Sequence, residues 1–416
     1  MVIAGVWQTS GFVMAMFLAG LRGIDSEILK AAQLDGAPPY KMYTRIIIPQ
    51  LRPVFLSAFI VLAHMAIKSY DLVIALTGGG PGNATELPAT FMYSYTFTRN
   101  QMAVGSASAM VMLMTIAAII IRTCIPSLKE AEMSTNTASP FSGPRFWRVL
   151  IYTTLIVFAC MYLLPLFVML VTSFKSLAEI RQGDMLAFPQ EWTTAPWSSA
   201  WGSACIGLTC EGIKGYFSNS ILITVPGVLL STLLGAINGY VLTKWRFPGH
   251  RWVFGLMLFG CFIPFQVVLV PMSQVLGTLG IANTTPGLVL VHVTYGLGFT
   301  TLFFRNYYEA FPQELVRAAM IDGAGFFKMF FRIMLPSSGP IIVVTVIWQF
   351  TNIWNDFLFG ASFSSGDTAP ITVALNNLVN SSTGVKEYNV HMAAAMIAAL
   401  PTLFVYVVAG RYFVRG

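Results

Sequence analysis

Charged residues are scarce in this chain of 416 residues. Asp, Glu, Lys and Arg together make up 10% of it and hydrophobic residues make up 56%, whereas about a quarter of an average soluble domain is charged. So few charges could not supply the water-facing surface of a soluble protein of this size. The shortage favours lipid as the main solvent of the protein.

Signatures of several enzyme classes are also missing. No GxxxxGK[ST] phosphate loop occurs, and the glycines of GGGPGNAT (residues 78–85) are not followed by lysine, which predicts that the chain does not hydrolyse ATP itself. His64, His250, His292 and His391 lie far apart without the spacing of metal ligands, so no metal site is predicted. No nucleophile elbow supports a membrane hydrolase.

Apolar runs near or above the roughly 18–20 residues needed to cross a bilayer recur along the chain. Nine are present, at residues 2–21, 54–76, 103–121, 149–171, 221–242, 252–270, 287–304, 341–359 and 392–412. The first has no basic segment before it and no clean small-residue cleavage site after it, which favours a retained helix over a signal peptide. The prediction is an all-α, polytopic membrane protein with about nine transmembrane helices.

The net charge of +7 raises the question of nucleic-acid binding. Lys and Arg, however, concentrate in the short loops between the apolar runs, and such a bias marks the cytoplasmic side of a membrane protein. Alternation of the nine spans places every basic stretch on that side if the N-terminus starts outside. The charge therefore predicts topology, and no nucleic-acid partner is expected.

Only five cysteines occur in the chain. Cys124, Cys160 and Cys261 lie in or beside apolar runs, where cysteine acts as a small apolar residue. Cys205 and Cys210 fall instead in CIGLTC, in a long loop that the alternation places outside the membrane. An oxidising compartment permits a disulfide there, but spacing alone leaves a disulfide and two thiols as equal alternatives.

One short phrase occurs twice. Residues 30–37 read KAAQLDGA and residues 317–324 read RAAMIDGA, at an offset of 287 positions (317 − 30). At the same offset Glu27 matches Glu314, Lys41-Met42 matches Lys328-Met329, Arg45-Ile46 matches Arg332-Ile333, and Pro49 and Pro53 match Pro336 and Pro340. Six predicted spans separate the copies, and an even number returns the chain to the same face. The copies therefore form a parallel repeat rather than an inverted one.

Each copy predicts a short helix, a turn and a second helix. Asp25-Ser26 and Pro312 are helix-start signals, and Gly36 and Gly323 suit the left-handed turn that ends a helix. Proline is predicted to close the second helices, KMYTRIII and KMFFRIML. Paired alanines leave one helix face without bulk, so a partner can approach closely. Positive-inside topology explains the basic residues but not this repeated spacing, which favours a cytoplasmic docking surface.

On these residues both copies resemble the EAA loop of binding-protein-dependent ABC importer permeases, at residues 24–53 and 311–340. The resemblance implies a coupling helix in each loop that sits in a groove of a cytoplasmic ATPase subunit. The family commonly has glutamate before the two alanines, where this chain has Lys30 and Arg317. One turn earlier, Glu27 and Glu314 still offer a carboxylate on the same face. The predicted docking residues are Glu27, Lys30, Ala31, Ala32, Asp35, Gly36, Ala37, Arg45, Pro49, Glu314, Arg317, Ala318, Ala319, Asp322, Gly323, Ala324, Arg332 and Pro336.

Three further segments narrow the resemblance. LTGGGPGNATE (residues 76–86) resembles the external loop of the first permease subunit of maltose-type sugar importers. YFSNSILIT (residues 216–224) and WNDFLF (residues 354–359) resemble the partner subunit, and the whole chain is similar to glucose/mannose-type importers. The resemblance implies the type I ABC importer permease fold, a bacterial inner-membrane location and a sugar delivered by a periplasmic binding protein.

Two permease domains are predicted. Residues 1–132 form the C-terminal part of the first, with three transmembrane helices, and residues 148–416 form the second, with six. Residues 133–147 are rich in Ser, Thr and Pro and are either a cytoplasmic linker or the beginning of a second protein at Met133. The first domain lacks the family's early helices, through truncation or through a gene fusion, and a further permease chain that supplies them is an expected partner.

The resemblance implies a transport subunit rather than an enzyme. No cofactor is expected on this chain, since ATP and Mg would be used by a separate cytoplasmic ATPase dimer. For substrate contact, Trp348, Asn352 and Asn355 offer an aromatic face and amides that suit sugar rings and hydroxyls, and their spacing places them near one helix face. The equal alternative is an interfacial aromatic belt with polar residues at a helix end.

An ion-coupled secondary transporter is the competing hypothesis. Coupling to protons or sodium usually needs acidic residues within the spans. Lys68, Asp71 and Asp356 are the candidates in this sequence. Lys68 and Asp71 could equally neutralise each other at a helix interface.

Overall fold

The computed structural model describes residues 1–22, 24, 26–127, 145–183, 186–207, 209–245, 247–261, 263–309, 311–380 and 386–413. Within these residues the regular structure is helical, and the β-type pairing recorded is one isolated bridge between Ile206 and Thr209. The predicted all-α class is therefore confirmed.

The helices are introduced here in chain order. The first nine are α1 Val2–Arg22, α2 Ser26–Leu34, α3 Pro39–Met42, α4 Ile48–Gln50, α5 Arg52–Ile67, α6 Asp71–Thr77, α7 Pro88–Tyr93, α8 Met102–Ser127 and α9 Arg145–Ser173. They are followed by α10 Leu177–Ile180, α11 Ala195–Gly202, α12 Lys214–Lys244, α13 His250–Cys261, α14 Phe265–Thr278, α15 Thr285–Glu309, α16 Gln313–Ile321, α17 Phe326–Met329, α18 Leu335–Ser337, α19 Gly339–Trp354, α20 Leu358–Phe363, α21 Ile371–Asn380 and α22 Tyr388–Phe413.

A helix or a pair of helices lies over each of the nine predicted apolar runs. Three of the runs are interrupted, because α5 is followed by α6, α13 by α14 and α19 by α20. Among the residues described, four helices are long and apolar enough to cross a membrane, and the number rises to six if each of two bent pairs counts as one span. The predicted number of nine spans is therefore not confirmed.

The chain divides into two compact units. The first comprises Met1–Leu164 with Pro264–Val267, and the second comprises Pro165–Ile263 with Val268–Gly416. The predicted linker at 133–147 lies almost entirely outside the described residues, as do Gly23 and Asp25. The predicted domain boundaries consequently remain predictions.

Close packing of α12 against α15 forms the centre of the second unit. A side chain on Gly235 would lie 2.8 Å from the backbone carbon of Thr300, and one on Gly239 would lie 2.7 Å from the backbone nitrogen of Arg305. Small residues at such spacing let two membrane helices approach until their backbones touch. Tyr240 and Phe304 are fully buried beside this contact.

In the first unit α1 packs against α5, and α8 packs against α5 and α7. A Cβ on Gly20 would meet the side chain of Val54 at 2.6 Å, and one on Gly105 would meet that of Thr96 at 1.9 Å. Both close approaches therefore depend on the missing side chain. A small apolar cluster of Ile24, Ile47 and Leu51 closes one end of this unit.

The loop that carries CIGLTC packs within the second unit. Cys205 and Cys210 are joined by a disulfide, and the neighbouring Ala204, Ile206 and Ile213 are buried in a hydrophobic cluster with residues of α21 and α22. The disulfide thus closes a short loop beside a packed surface.

A mass measurement tests this disulfide. The intact protein, alkylated without reductant, is expected to yield a peptide in which Cys205 and Cys210 are unmodified and lack both thiol hydrogens. After reduction the same peptide should take up two alkyl groups. Cys160, a free cysteine, is the internal control, and in samples denatured before alkylation it should be alkylated with and without reductant. Alkylation of Cys205 and Cys210 before reduction would contradict the pairing.

Candidate functional site

The two EAA loops fold alike, residue for residue. Helix α2 corresponds to α16, α3 to α17, α4 to α18 and α5 to α19, and both ends of every pair match at the offset of 287 found in the sequence. The structural repeat is therefore longer than the repeated phrase. It extends from the start of α2 to the end of α5, and from the start of α16 to the end of α19.

Glycine forms the elbow of each loop. The φ angles of Gly36 and Gly323 are 70° and 72°, in the left-handed region where glycine carries no steric penalty. The same hydrogen bonds close both turns, since Ala37 N–H donates to Ala32 O at 3.0 Å and Ala324 N–H donates to Ala319 O at 2.9 Å. The predicted helix, left-handed turn and second helix are confirmed in both copies.

Proline does not close the second helix, which corrects the prediction. Pro49 and Pro336 lie inside the first turn of α4 and α18, and a π-helical turn precedes each, at Tyr43–Ile47 and Phe330–Met334. A wider π turn accommodates a proline that lacks an N–H and would clash with an α-helical carbonyl. The helix ends only at the single residues Leu51 and Ser338. At Ser338 the chain bends by 78°.

The paired alanines face opposite ways. Ala32 and Ala319 are buried, with 6% and 9% of their surface exposed, and Ala319 belongs to the core of the second unit. Ala31 and Ala318 are exposed. One alanine of each pair therefore lets the helix sit close to its own unit, and the other leaves the outer face flat.

Matching apolar side chains surround that flat face. Ile28 and Leu315, which correspond at the offset of 287, are 43% and 53% exposed, and Tyr40 and Phe327, which also correspond, are 65% and 72% exposed. Exposed apolar groups of this size at equivalent places in two copies indicate an interaction surface. Sequence analysis did not identify these four residues, because the two members of each pair are similar rather than identical and so did not stand out among the identities.

Most other predicted docking residues are also exposed. Ala37 and Ala324 are half-buried, and the exposed ones are Glu27, Lys30, Asp35, Gly36, Arg45, Pro49, Glu314, Arg317, Asp322, Gly323, Arg332 and Pro336. Lys30 stands where the family commonly has glutamate, and its Nζ lies 3.0 Å from Glu27 Oε1. An exposed pair of this kind contributes little to stability.

A second shared feature follows each loop. Helices α5 and α19 both end after sixteen residues. Three non-helical residues, 68–70 and 355–357, then precede α6 and α20. Membrane transporters use interrupted helices of this type to place polar groups near the middle of the bilayer. Of the three substrate candidates of the sequence analysis, Asn355 lies in the second interruption, and Trp348 and Asn352 lie in the last two turns of α19 before it.

The structure brings these three candidates only partly together. Trp348 packs between Phe299 and Phe303 of α15, with ring centroids 4.8 and 5.5 Å away. Asn352 is exposed, and its Nδ2 donates to Trp348 O at 2.8 Å. Asn355, in the interruption, is exposed. The amides therefore face open space while the indole is partly used in packing.

A buried polar group beside this interruption was missed. His292 Nε2 lies 3.9 Å from Asp356 Oδ2, and the Asp356 carboxylate accepts the backbone N–H groups of Phe359 and Gly360, at the start of α20. Gln349 is buried, donates to His292 O at 3.4 Å and leaves its Oε1 without a hydrogen-bond partner among the described residues. Polar residues inside a span are functional candidates by default, so the sequence could have singled out His292 and Gln349. It could not have shown that the two residues lie close together.

The first unit holds a cavity of about 690 Å³. One wall comes from the glycine-rich loop at residues 76–86 through Asn83 and Glu86, and the others include Phe91 of α7 with Ser108 and Thr115 of α8. An aromatic ring with a few polar groups in a concave surface is typical of small-molecule sites. Sequence analysis singled out the loop but not its place beside a cavity.

Comparison with known proteins agrees with this geometry. The profile of the family described as "Binding-protein-dependent transport system inner membrane component" matches residues 1–130 and 227–416. A probable ABC transporter permease protein of Pyrococcus horikoshii is 40% identical over 270 residues, which cover 65% of this chain and 94% of that protein. The xylose/arabinose import permease of Haloferax volcanii is 30% identical over 302 residues, which cover 68% and 95%.

A solved structure shows the same fold. The bacterial ABC transporter involved in the import of the acidic polysaccharide alginate matches with a TM-score of 0.58 and 21% identity, over 66% of this chain and 100% of that chain. The match of the family profile to most of the chain, together with two equivalent EAA loops, settles the family. The chain belongs to the inner membrane components of binding-protein-dependent transport systems, and it is a multi-pass permease of an ABC importer.

Proposed function

We propose that this permease takes up a sugar that a periplasmic binding protein delivers, driven by a separate pair of cytoplasmic ATPase subunits. The observation that carries the proposal is the identical backbone path of the two EAA loops, with the same glycine elbow and the same flat alanine face. A partner with two equivalent grooves, such as an ATPase dimer, is the kind of partner that this repeat would engage.

The chain's own residues suggest how ATP would be coupled to transport. Each EAA loop continues through one π turn into a helix that is interrupted at the same position. If the ATPase dimer displaced the loops, the helices joined to them would therefore move as well, and with them both interruptions. Differential contact of the ATPases with two permease states would then drive alternating access.

A neutral or weakly charged sugar fits the groups available for contact. In the first unit the cavity offers the Phe91 ring and the Asn83 amide, and in the second unit Asn352 and Asn355 offer exposed amides. Aromatic rings match the apolar faces of a sugar ring, and amides match its hydroxyls. The Haloferax volcanii relative imports xylose and arabinose by name. These observations support the sugar class and not a particular sugar.

Reconstitution in liposomes tests the proposal. The permease is reconstituted with the ATPase and the binding protein from the same genome. The vesicles are expected to take up at least one of radiolabelled glucose, mannose, xylose and arabinose, and only when ATP is on the side of the membrane that holds the ATPase. Asn352→Ala and Asn355→Ala should raise the KM for uptake by about tenfold each, as expected when a hydrogen bond to a ligand is lost. Asn380→Ala, which alters an exposed amide at the end of α21, is the matched control.

The ion-coupled alternative predicts a different result in the same vesicles. Uptake driven by a proton or sodium gradient, without ATPase or binding protein, would refute the proposed function. An unchanged KM in both variants, with ATP-dependent uptake intact, would refute only the assignment of the contact residues.

A further inference from the structure

The second EAA loop is tied to α12 and α15 by polar side chains at three points along its length. At its start, Lys244 Nζ donates to Phe311 O at 3.1 Å and lies 3.4 Å from Gln313 Oε1. Lys244 is the last residue of α12. The end of this core helix therefore holds the beginning of α16.

The middle of the loop is held by two aromatic residues at the same end of α12. Trp245 Nε1 donates to Tyr240 Oη at 2.6 Å, and Tyr240 Oη donates to Phe326 O at 3.4 Å. The Phe326 ring centroid lies 5.1 Å from that of Tyr240 and 5.2 Å from that of Trp245. Tyr240 is fully buried, so Phe326 at the start of α17 is fixed by both a backbone hydrogen bond and ring packing.

The end of the loop is held by α15. Tyr307 Oη donates to Ser337 O at 2.7 Å, and Tyr308 Oη lies 2.9 Å from Ser338 Oγ. Ser338 and Tyr308 are both fully buried. These contacts lie at the 78° bend between the loop and α19, which is where the loop would otherwise flex.

The first EAA loop has no hydroxyl groups at the positions of the α15 contacts. At the offset of 287, Tyr307 and Tyr308 correspond to Gly20 and Leu21, and Ser338 corresponds to Leu51. None of these three residues has a side-chain hydroxyl. What holds that end of the first loop is the apolar cluster of Ile24, Ile47 and Leu51.

We propose that Tyr240 and Trp245, with Tyr308 and Ser338, are positioning residues that make the second EAA loop move as one body with α12 and α15. The second loop would then pass its displacement fully to the transport helices, whereas the first loop, which has no hydroxyl groups at the positions of the α15 contacts, would transmit less. The proposal rests on the proposed ATP-driven function. It concerns coupling and not the binding of the ATPase, because Tyr240, Tyr308 and Ser338 are fully buried and the Trp245 indole, although 45% exposed, directs its N–H to Tyr240.

Conservative variants test the proposal. Tyr240→Phe and Trp245→Phe remove the hydrogen bonds but keep aromatic rings against Phe326. In liposomes with the ATPase and binding protein, each variant is expected to hydrolyse ATP within about twofold of the wild-type rate and to transport about three- to tenfold less sugar per ATP, as expected for residues that carry coupling between sites. The probe is whichever of glucose, mannose, xylose and arabinose the wild-type complex takes up fastest.

Two controls and a second measurement keep the outcome decisive. Trp252→Phe and Tyr406→Phe alter exposed aromatic residues and should leave the ratio of sugar to ATP unchanged. In the purified permease, amide hydrogen exchange over residues 326–338 should be faster in Tyr240→Phe and Trp245→Phe and unchanged in the controls. An unchanged ratio in both variants, or unchanged exchange over 326–338, would overturn the proposal. Absence of ATP-driven uptake by the wild type, with the exchange result as expected, would refute the proposed function and not the loop contacts.

Discussion

Replacing Ala31 and Ala318 by phenylalanine is expected to prevent the ATPase subunits from binding while the permease itself stays folded. Both alanines are exposed and form the flat centre of the matching apolar faces. Bulky rings there would hold a partner surface away from its contacts. Loss of a contact at the centre of an interface costs about 2 kcal/mol or more, or roughly 30-fold in affinity. Copurification of a coexpressed ATPase, followed by titration in detergent, measures the effect.

The neighbouring alanines provide the matched comparison. Ala32→Phe and Ala319→Phe place the same ring on the buried side of the same helices. These variants should lower the melting temperature of the permease alone, which Ala31→Phe and Ala318→Phe should leave unchanged. Normal ATPase binding by the Ala31→Phe, Ala318→Phe double variant would show that the flat face is not the docking surface.

Replacing Gly235 and Gly239 by alanine is expected to destabilise the permease strongly. The added methyl groups would lie 2.5–2.8 Å from atoms of Thr300 and Arg305, including backbone atoms that cannot move without separating α12 from α15. Overpacking of this kind costs about 1–3 kcal/mol at each site. Thermal unfolding and size-exclusion profiles of the purified permease measure it.

Gly215 offers a control on the same helix. A Cβ there has no neighbour within 4 Å, so Gly215→Ala should leave stability unchanged or raise it by up to about 1 kcal/mol, because alanine favours the helix. Equal melting temperatures for the Gly235→Ala, Gly239→Ala double variant and for Gly215→Ala would show that α12 and α15 are not in backbone contact.

Local signals predicted the EAA loops well. The glycines at 36 and 323 ended their helices as expected, because the left-handed turn needs a residue without a Cβ and both copies place glycine there. The repeat itself was visible because its identities fall in a short, charged segment between apolar runs. The all-helical class followed from composition and run length alone.

The errors arise where a helix changes its path without changing its hydropathy. Proline usually ends a helix, but at positions 49 and 336 one extra residue in a π turn removes the clash with the preceding carbonyl. A π turn has no characteristic amino-acid composition, so the sequence does not reveal it. The interruptions at 68–70 and 355–357 involve three residues each, too few to alter the average over an apolar run. Runs that were counted as single spans are therefore broken helices.

Contacts between distant residues were also beyond sequence analysis. Gln349 lies against His292 because Gly296 leaves room, since a Cβ on Gly296 would lie 2.1 Å from the Gln349 amide. Asp356 was considered as an ion-coupling residue, yet its carboxylate caps α20. Each of these roles depends on the packing of α15 against α19, which one sequence does not reveal.

The π turns absorb one extra residue each. A π-helical turn takes one residue more than an α-helical turn for about the same rotation, so the helix beyond it keeps its orientation. Deleting a residue from Tyr43–Ile47 or Phe330–Met334 would let the turn close as an α-helix and would restore the clash between Pro49 or Pro336 and a preceding carbonyl. The extra residue therefore acts as a spacer that admits a proline at the entry to α5 and α19 without rotating either helix.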